Sequence, residues 1–178
     1  NATFRGIRLA QYQRITFLAS QMDEVADEAP TYVKPTTTLP YGGWDFPPNA
    51  NRSVMWPFAP PRIGLNAGAD EFWATYNVAL IWWNIGTTTG VVRWRCRIRN
   101  LAIAIDPVDE TPFSDTTTSM NAAAQKIINA GQVVTGVPIT PAFFGSEYSM
   151  MITRMGAEAA DTCEETVRLG MCSYNQAS

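Results

Sequence analysis

Residues 91–99 read Val-Val-Arg-Trp-Arg-Cys-Arg-Ile-Arg, and this alternation constrains the fold more than any other stretch. A period of two puts Val92, Trp94, Cys96 and Ile98 on one face and Arg93, Arg95, Arg97 and Arg99 on the other. Helical periodicity would scatter the arginines around the axis and leave no apolar stripe. The segment is therefore predicted to be a β-strand with one face in a core and the other toward solvent or a partner.

Similar patterns recur along the chain. Thr75 to Trp83 alternates and is rich in β-branched and aromatic types, and it ends at a loop with Gly86 and Gly90. Gln132 to Thr140, Glu147 to Arg154 and Thr166 to Tyr174 alternate as well. Leu101, Ile103 and Ile105 shift the apolar phase after Asn100, which predicts a bulge or bend there. Asp106 to Ser119 reads as a polar loop. Met120 to Ala130 has helical propensity, with Ser119 as cap and Gly131 as stop, although its apolar spacing is poor. Many strands without crossover helices predict an all-β, antiparallel two-sheet sandwich of the jelly-roll kind over residues 51–178.

Residues 1–50 read differently. Arg5, Arg8 and Arg14 precede an acidic cluster of Asp23, Glu24, Asp27 and Glu28. Most of the twelve prolines fall between Pro30 and Pro61, interleaved with Trp44, Phe46, Trp56 and Phe58. Proline stops helices and central strands alike, while the large aromatics argue against a disordered linker. Residues 1–50 are expected to form an extended N-terminal arm that packs on its own body or on a neighbouring subunit.

Composition removes whole classes of chemistry. The 178 residues contain no histidine, which excludes Ser-His-Asp and Cys-His catalysis and histidine-bearing zinc sites. Neither GxGxxG nor GxxxxGK[ST] occurs. Cys96, Cys163 and Cys172 have no CxxC spacing; a bridge between Cys163 and Cys172 stays open, and a reduced compartment is favoured. Asp106, Asp109, Glu110 and Asp115 cluster in one loop, and Asp161, Glu164 and Glu165 in another, as solvated turns do. Catalytic carboxylate pairs come from opposite walls of a cleft. The DxDxDG spacing is absent, so a calcium site at Asp106 and Asp109 is weakly supported. No catalytic residue, metal or cofactor is expected. No apolar run is long enough to span a membrane, and no signal peptide is read, because arginines interrupt the start. The net charge of −3 has the wrong sign for phosphate backbones, so nucleic acid is disfavoured.

Several segments resemble the jelly-roll domains of tailed-bacteriophage virion proteins, such as capsid decoration or cement, collar and tail-fibre proteins. The resemblance runs through Ser53 to Phe58, Val78 to Trp82 and Gly90 to Trp94. It continues in Met150 to Arg154, a strand ending in arginine before the acidic loop that holds Asp161, and closes with Leu169 to Tyr174. It implies extended chain over 120–130, where propensity prefers helix. It further implies a non-enzymatic virion subunit that forms a homotrimer and binds the major capsid or other virion proteins.

Two features invite an interface. The arginines at 93, 95, 97 and 99 stand roughly 6.5–7 Å apart along one strand face, so acidic groups must sit nearby. Those groups are cross-strand carboxylates, a partner subunit or an anionic polymer. Trp82 and Trp83 are adjacent, so only one can enter a single core. Trp83 must be covered by the arm, by another subunit or by a ligand such as a sugar ring. Trp44, Phe46, Trp83, Arg93, Arg95, Arg97 and Arg99 are thus the candidate interface residues. The alternative function is a carbohydrate-recognition β-sandwich of a receptor-binding protein, which predicts aromatics on a concave sheet face and a host surface glycan as ligand. An RNA-packaging coat ranks last, for want of a strongly basic arm.

Overall fold

The structure is a computed structural model that describes residues 14–37, 42–58, 75–100, 114–123, 128–138 and 148–176. Its strands are β1 (Arg14–Leu18), β2 (Asp23–Glu24), β3 (Thr31–Val33), β4 (Gly43–Phe46), β5 (Asn51–Phe58) and β6 (Thr75–Asn84). They continue as β7 (Gly90–Asn100), β8 (Ser114–Ala122), β9 (Ile128–Pro138), β10 (Tyr148–Met155) and β11 (Val167–Gln176). One sheet runs β3-β4-β11-β6-β9, with β1 also on β11; the other runs β2-β5-β10-β7-β8. Every pairing is antiparallel. From β4 to β11 the chain changes sheet at every step except the paired β7 and β8, which is the order of a jelly roll, so the predicted antiparallel sandwich is the fold.

Residues 14–50 join both sheets. β1 and β4 pair with different halves of the same edge of β11. Between them the chain makes a 3-10 turn at Ala19–Gln21 and crosses to the second sheet, where β2 pairs with β5. Trp44 Nε1 donates to the Ala19 carbonyl at 2.8 Å, which ties that turn to β4.

The core lies between the sheets. Phe46, Trp82 and Trp94 meet edge to face, with ring centroids 5.3 Å and 5.7 Å apart. Val92, Trp94, Cys96 and Ile98 are fully buried, as the alternation of β7 predicts. Cys96, Cys163 and Cys172 are buried free thiols, so the open question of a Cys163–Cys172 bridge resolves against it. Burial raises the Cys96 thiol far above its ordinary range. It does the same to Cys172, whose thiolate would also face that of Cys96.

Two expectations are corrected. The polar loop expected to end at Ser119 gives way to β8 from Ser114, and the helix expected over Met120–Ala130 is strand in β8 up to Ala122 and in β9 from Ile128, with 124–127 outside the described residues. The cause is tertiary: β8 pairs with β7 from Ser114 to Ala122, and β9 pairs with β6. Without an apolar stripe, a helix there would bury little, whereas two ladders satisfy the backbone. The loop with Asp106, Asp109 and Glu110, and the bend expected after Asn100, lie outside the described residues.

Arg154 locks the loop that follows β10. Its side chain and that of Asp161 are 0% and 1% exposed, and Nε and Nη2 reach the two carboxylate oxygens at 3.0 Å and 2.8 Å. Its remaining donors meet the carbonyls of Phe46, Glu165 and Cys163. Asp161 also accepts the Arg93 backbone N–H at 3.1 Å.

Candidate functional site

The alternation of β6 sends Val78, Leu80 and Trp82 inward and Ile81 and Trp83 to the outer face of the six-stranded sheet. On the neighbouring strand the register with β6 shifts between Leu169 and Met171, so Gly170 is the extra residue of a bulge. A Cβ on Gly170 would stand 2.6 Å from Trp83 Cζ3 and 3.0 Å from Cη2. The missing side chain leaves room for the indole against β11, where Trp83 keeps 8% of its surface exposed. Ile81, Trp83, Gly170 and Met171 thus make the floor of a groove.

The walls come from the first fifty residues. On one side Leu18 leaves β1 and the chain turns through Ala19 and Ser20; on the other stand Tyr32, Pro35 and Gly42. Tyr32 packs on Trp44 with ring centroids 5.0 Å apart, so one wall is anchored to the core. The groove holds about 570 Å³ and is largely apolar, with Ser20 and Tyr32 as its hydroxyl-bearing residues. Leu18 at its rim is 50% exposed. Beside the floor, Arg168 is the register partner of both Trp83 and Asp45. Arg168 Nε and Nη2 donate to the Asp45 carboxylate at 2.5 Å and 2.9 Å. A volume within the roughly 300–1,000 Å³ of small-molecule sites, apolar walls and a few polar groups suit a ligand with both C–H faces and hydroxyls.

The arginine row lies on the outer face of the other sheet. Arg95 makes a two-point contact to Asp115 of β8, which holds the Asp115 carboxyl below its usual range and raises Arg95. Arg97 Nε comes only within 3.7 Å of the same carboxylate. Arg93 Nε lies 2.7 Å from Glu158 Oε2, near enough for an ion pair although not aligned as a hydrogen bond. Arg99 of β7 is the register partner of Ser149 in β10. Trp44 and Phe46 are buried on the inner face of β4.

The structure therefore separates the residues singled out from the sequence. Trp83 lines the groove, the arginines occupy the opposite outer face, and Trp44 and Phe46 belong to the core. Sequence reasoning missed Leu18, Tyr32, Gly42 and Gly170. Only the pair Trp82-Trp83 signalled an aromatic that a single core could not take. Among the described residues no group of three or more Cys, Asp or Glu could hold a metal ion, and no helix is long and apolar enough to cross a membrane.

No family model matches the chain, and no curated protein does. Solved structures do match. One is the CBM36-1 domain of a multidomain xylanase from the hindgut metagenome of Trinervitermes trinervoides, with TM-score 0.53 and 9% identity over 93% of this chain and 99% of that one. Another is a carbohydrate-binding module, CBM36, in complex with calcium and xylotriose, with TM-score 0.43 and 11% identity over 90% and 98% of the two chains. At 9% identity the first likeness is one of fold. It corrects the resemblance to phage virion proteins, and with it the reading as a trimeric virion subunit: the matching jelly roll belongs to a xylanase. The motifs behind that resemblance are inward-facing strand residues such as Val54, Trp56, Leu80, Val92 and Leu169, which any two-sheet core requires.

Proposed function

We propose that the chain is a non-catalytic carbohydrate-recognition module whose ligand lies in the groove over Trp83. The observation that carries the reading is the floor of that groove: the Trp83 indole packed against a bulge glycine on the outer face of a sheet, with Tyr32 in the wall above it. Aromatic rings present an apolar face together with a polar edge, which complements the C–H faces and hydroxyls of a pyranose. The jelly roll shared with a carbohydrate-binding domain supports the same reading. A glycan of a host surface is one source of such a ligand, and a plant cell-wall polysaccharide is another.

Affinity electrophoresis and calorimetry against soluble neutral polysaccharides, including xylan and mixed-linked β-glucan, test it. Binding to at least one is expected, with Trp fluorescence shifting on titration. Trp83→Ala removes the floor and is expected to abolish binding. Gly170→Ala lifts the indole from its bed and is expected to weaken binding while leaving the indole present. Unchanged affinity in both folded variants, or no retardation by any neutral glycan, would refute the proposal.

A further inference from the structure

The two walls of the groove meet at one side chain outside its lining. One wall ends β1 with Leu18 and turns through Ala19 and Ser20; the other is Tyr32 with Pro35 and Gly42. Trp44 is 8% exposed and lines neither, but it touches both. Its Nε1 donates to the Ala19 carbonyl at 2.8 Å, and its ring centroid lies 5.0 Å from that of Tyr32. The backbone of Trp44 is held in turn by β11. Its register partner there is Leu169, the residue before the bulge glycine that accommodates Trp83. Floor and walls are thus joined through Trp44.

Each wall is a short element of the kind that holds its place by tertiary contacts rather than by its own bonds. The first is a three-residue 3-10 turn, Ala19–Gln21. Its closing bond, from the Met22 N–H, reaches the same Ala19 carbonyl at 3.2 Å, longer than the indole bond. The second is a three-residue strand, Thr31–Val33, whose one ladder among the described residues is with β4. Its parts are packed together. A Cβ on Gly42 would stand 2.9 Å from Tyr32 Oη, Pro35 Cδ and the Val33 carbonyl oxygen, so a shift of Tyr32 is felt by Pro35. We propose that Trp44 is the positioning residue of the groove and fixes the spacing of its walls, an assignment that rests on the groove as the glycan site. Affinity then depends on an indole outside the groove lining. Without the bond to Ala19 the first wall populates displaced states, and binding falls with the fraction of molecules whose walls are both in place.

The test compares Trp44→Phe with Trp94→Phe in the full chain. Both remove an indole N–H and the same volume from a buried tryptophan. Trp94 lies in β7 of the other sheet, and its Nε1 makes no hydrogen bond among the described residues. Trp44→Phe keeps a ring against Tyr32 and loses the bond to Ala19. Hydrogen exchange of the Met22 amide, which shares that carbonyl, is expected to quicken about 2-fold to 10-fold in Trp44→Phe, the worth of one neutral hydrogen bond. Affinity for xylan or mixed-linked β-glucan is expected to fall by up to the same factor. Trp94→Phe is expected to change neither. A wild-type measurement needs no variant: the Trp44 indole N–H and the Met22 amide are expected to exchange through one opening, with equal protection. Unchanged Met22 exchange or unchanged affinity in Trp44→Phe, equal effects of the two variants, or unequal wild-type protection overturns the assignment. No wild-type binding to either glycan, with Met22 exchange quickened in Trp44→Phe, refutes the glycan site and this assignment with it, and leaves only the anchoring of the walls standing.

Discussion

Replacing Asp161 by asparagine removes one charge from a fully buried pair. Arg154 would then sit fully buried, its cation uncompensated, with an amide nitrogen facing one of its own N–H groups. Breaking a buried ion pair by removing one partner costs about 3–5 kcal/mol, against a total stability of roughly 5–15 kcal/mol for a domain. For a chain of this size that corresponds to a fall in Tm of about 6–20 °C, at roughly 2–4 °C per kcal/mol. Arg154→Met is expected to cost more. It strands the Asp161 carboxylate and leaves the carbonyls of Phe46, Cys163 and Glu165 without their donor. The double variant Arg154→Met/Asp161→Asn is expected to cost less than the sum of the singles, by about 0.5–3 kcal/mol, because both act on one network. Urea unfolding followed by the fluorescence of the buried Trp56, Trp82 and Trp94 measures all three. A cost for Asp161→Asn below about 1 kcal/mol, the worth of an exposed pair, would refute the account, as would strict additivity.

Two further outcomes follow from the same structure. Asp115 has a lowered carboxyl pKa, chiefly through its hydrogen bonds to Arg95, so its stabilisation is present above the unfolded value and lost as pH falls through the folded one. Asp115→Asn should therefore flatten stability against pH below about pH 4 and leave the slope from pH 5 to 8 untouched, which thermal melts across pH will check. The thiols of Cys96, Cys163 and Cys172 are buried, so a chromogenic disulfide reagent should count none in the native protein within minutes and three in urea. A rapid native reaction would contradict the packing between the sheets.

Legibility of the fold followed the side chains that face inward. β7 could be read without ambiguity because every inward residue is apolar and every outward one in its centre is arginine. β8 has the same period, with Thr116, Thr118, Met120 and Ala122 turned inward against Asp115, Thr117, Ser119 and Asn121, but only Met120 among its inward residues is large and apolar. No hydrophobicity signal opposed the helical propensity of the alanines, and the outcome was decided by pairing with β7. β2 and β3 are two and three residues long, too short for any period to show. The walls of the groove come from the end of β1 and the turn after it, and from Tyr32 of β3 with Pro35 and Gly42.

The candidate site divided along the same line. That Trp83 could not share a core with Trp82 follows from two adjacent letters and the geometry of a strand. What lies beneath it does not: the bed for the indole is a bulge at Gly170, eighty-seven residues away, visible only once β6 and β11 are paired. The arginine row gave the converse lesson. Its charge and spacing were legible, but an even row became uneven because Asp115 turned both its oxygens to Arg95. Which arginine is held at two points is set by that choice of partner, and a carboxylate on another strand makes it.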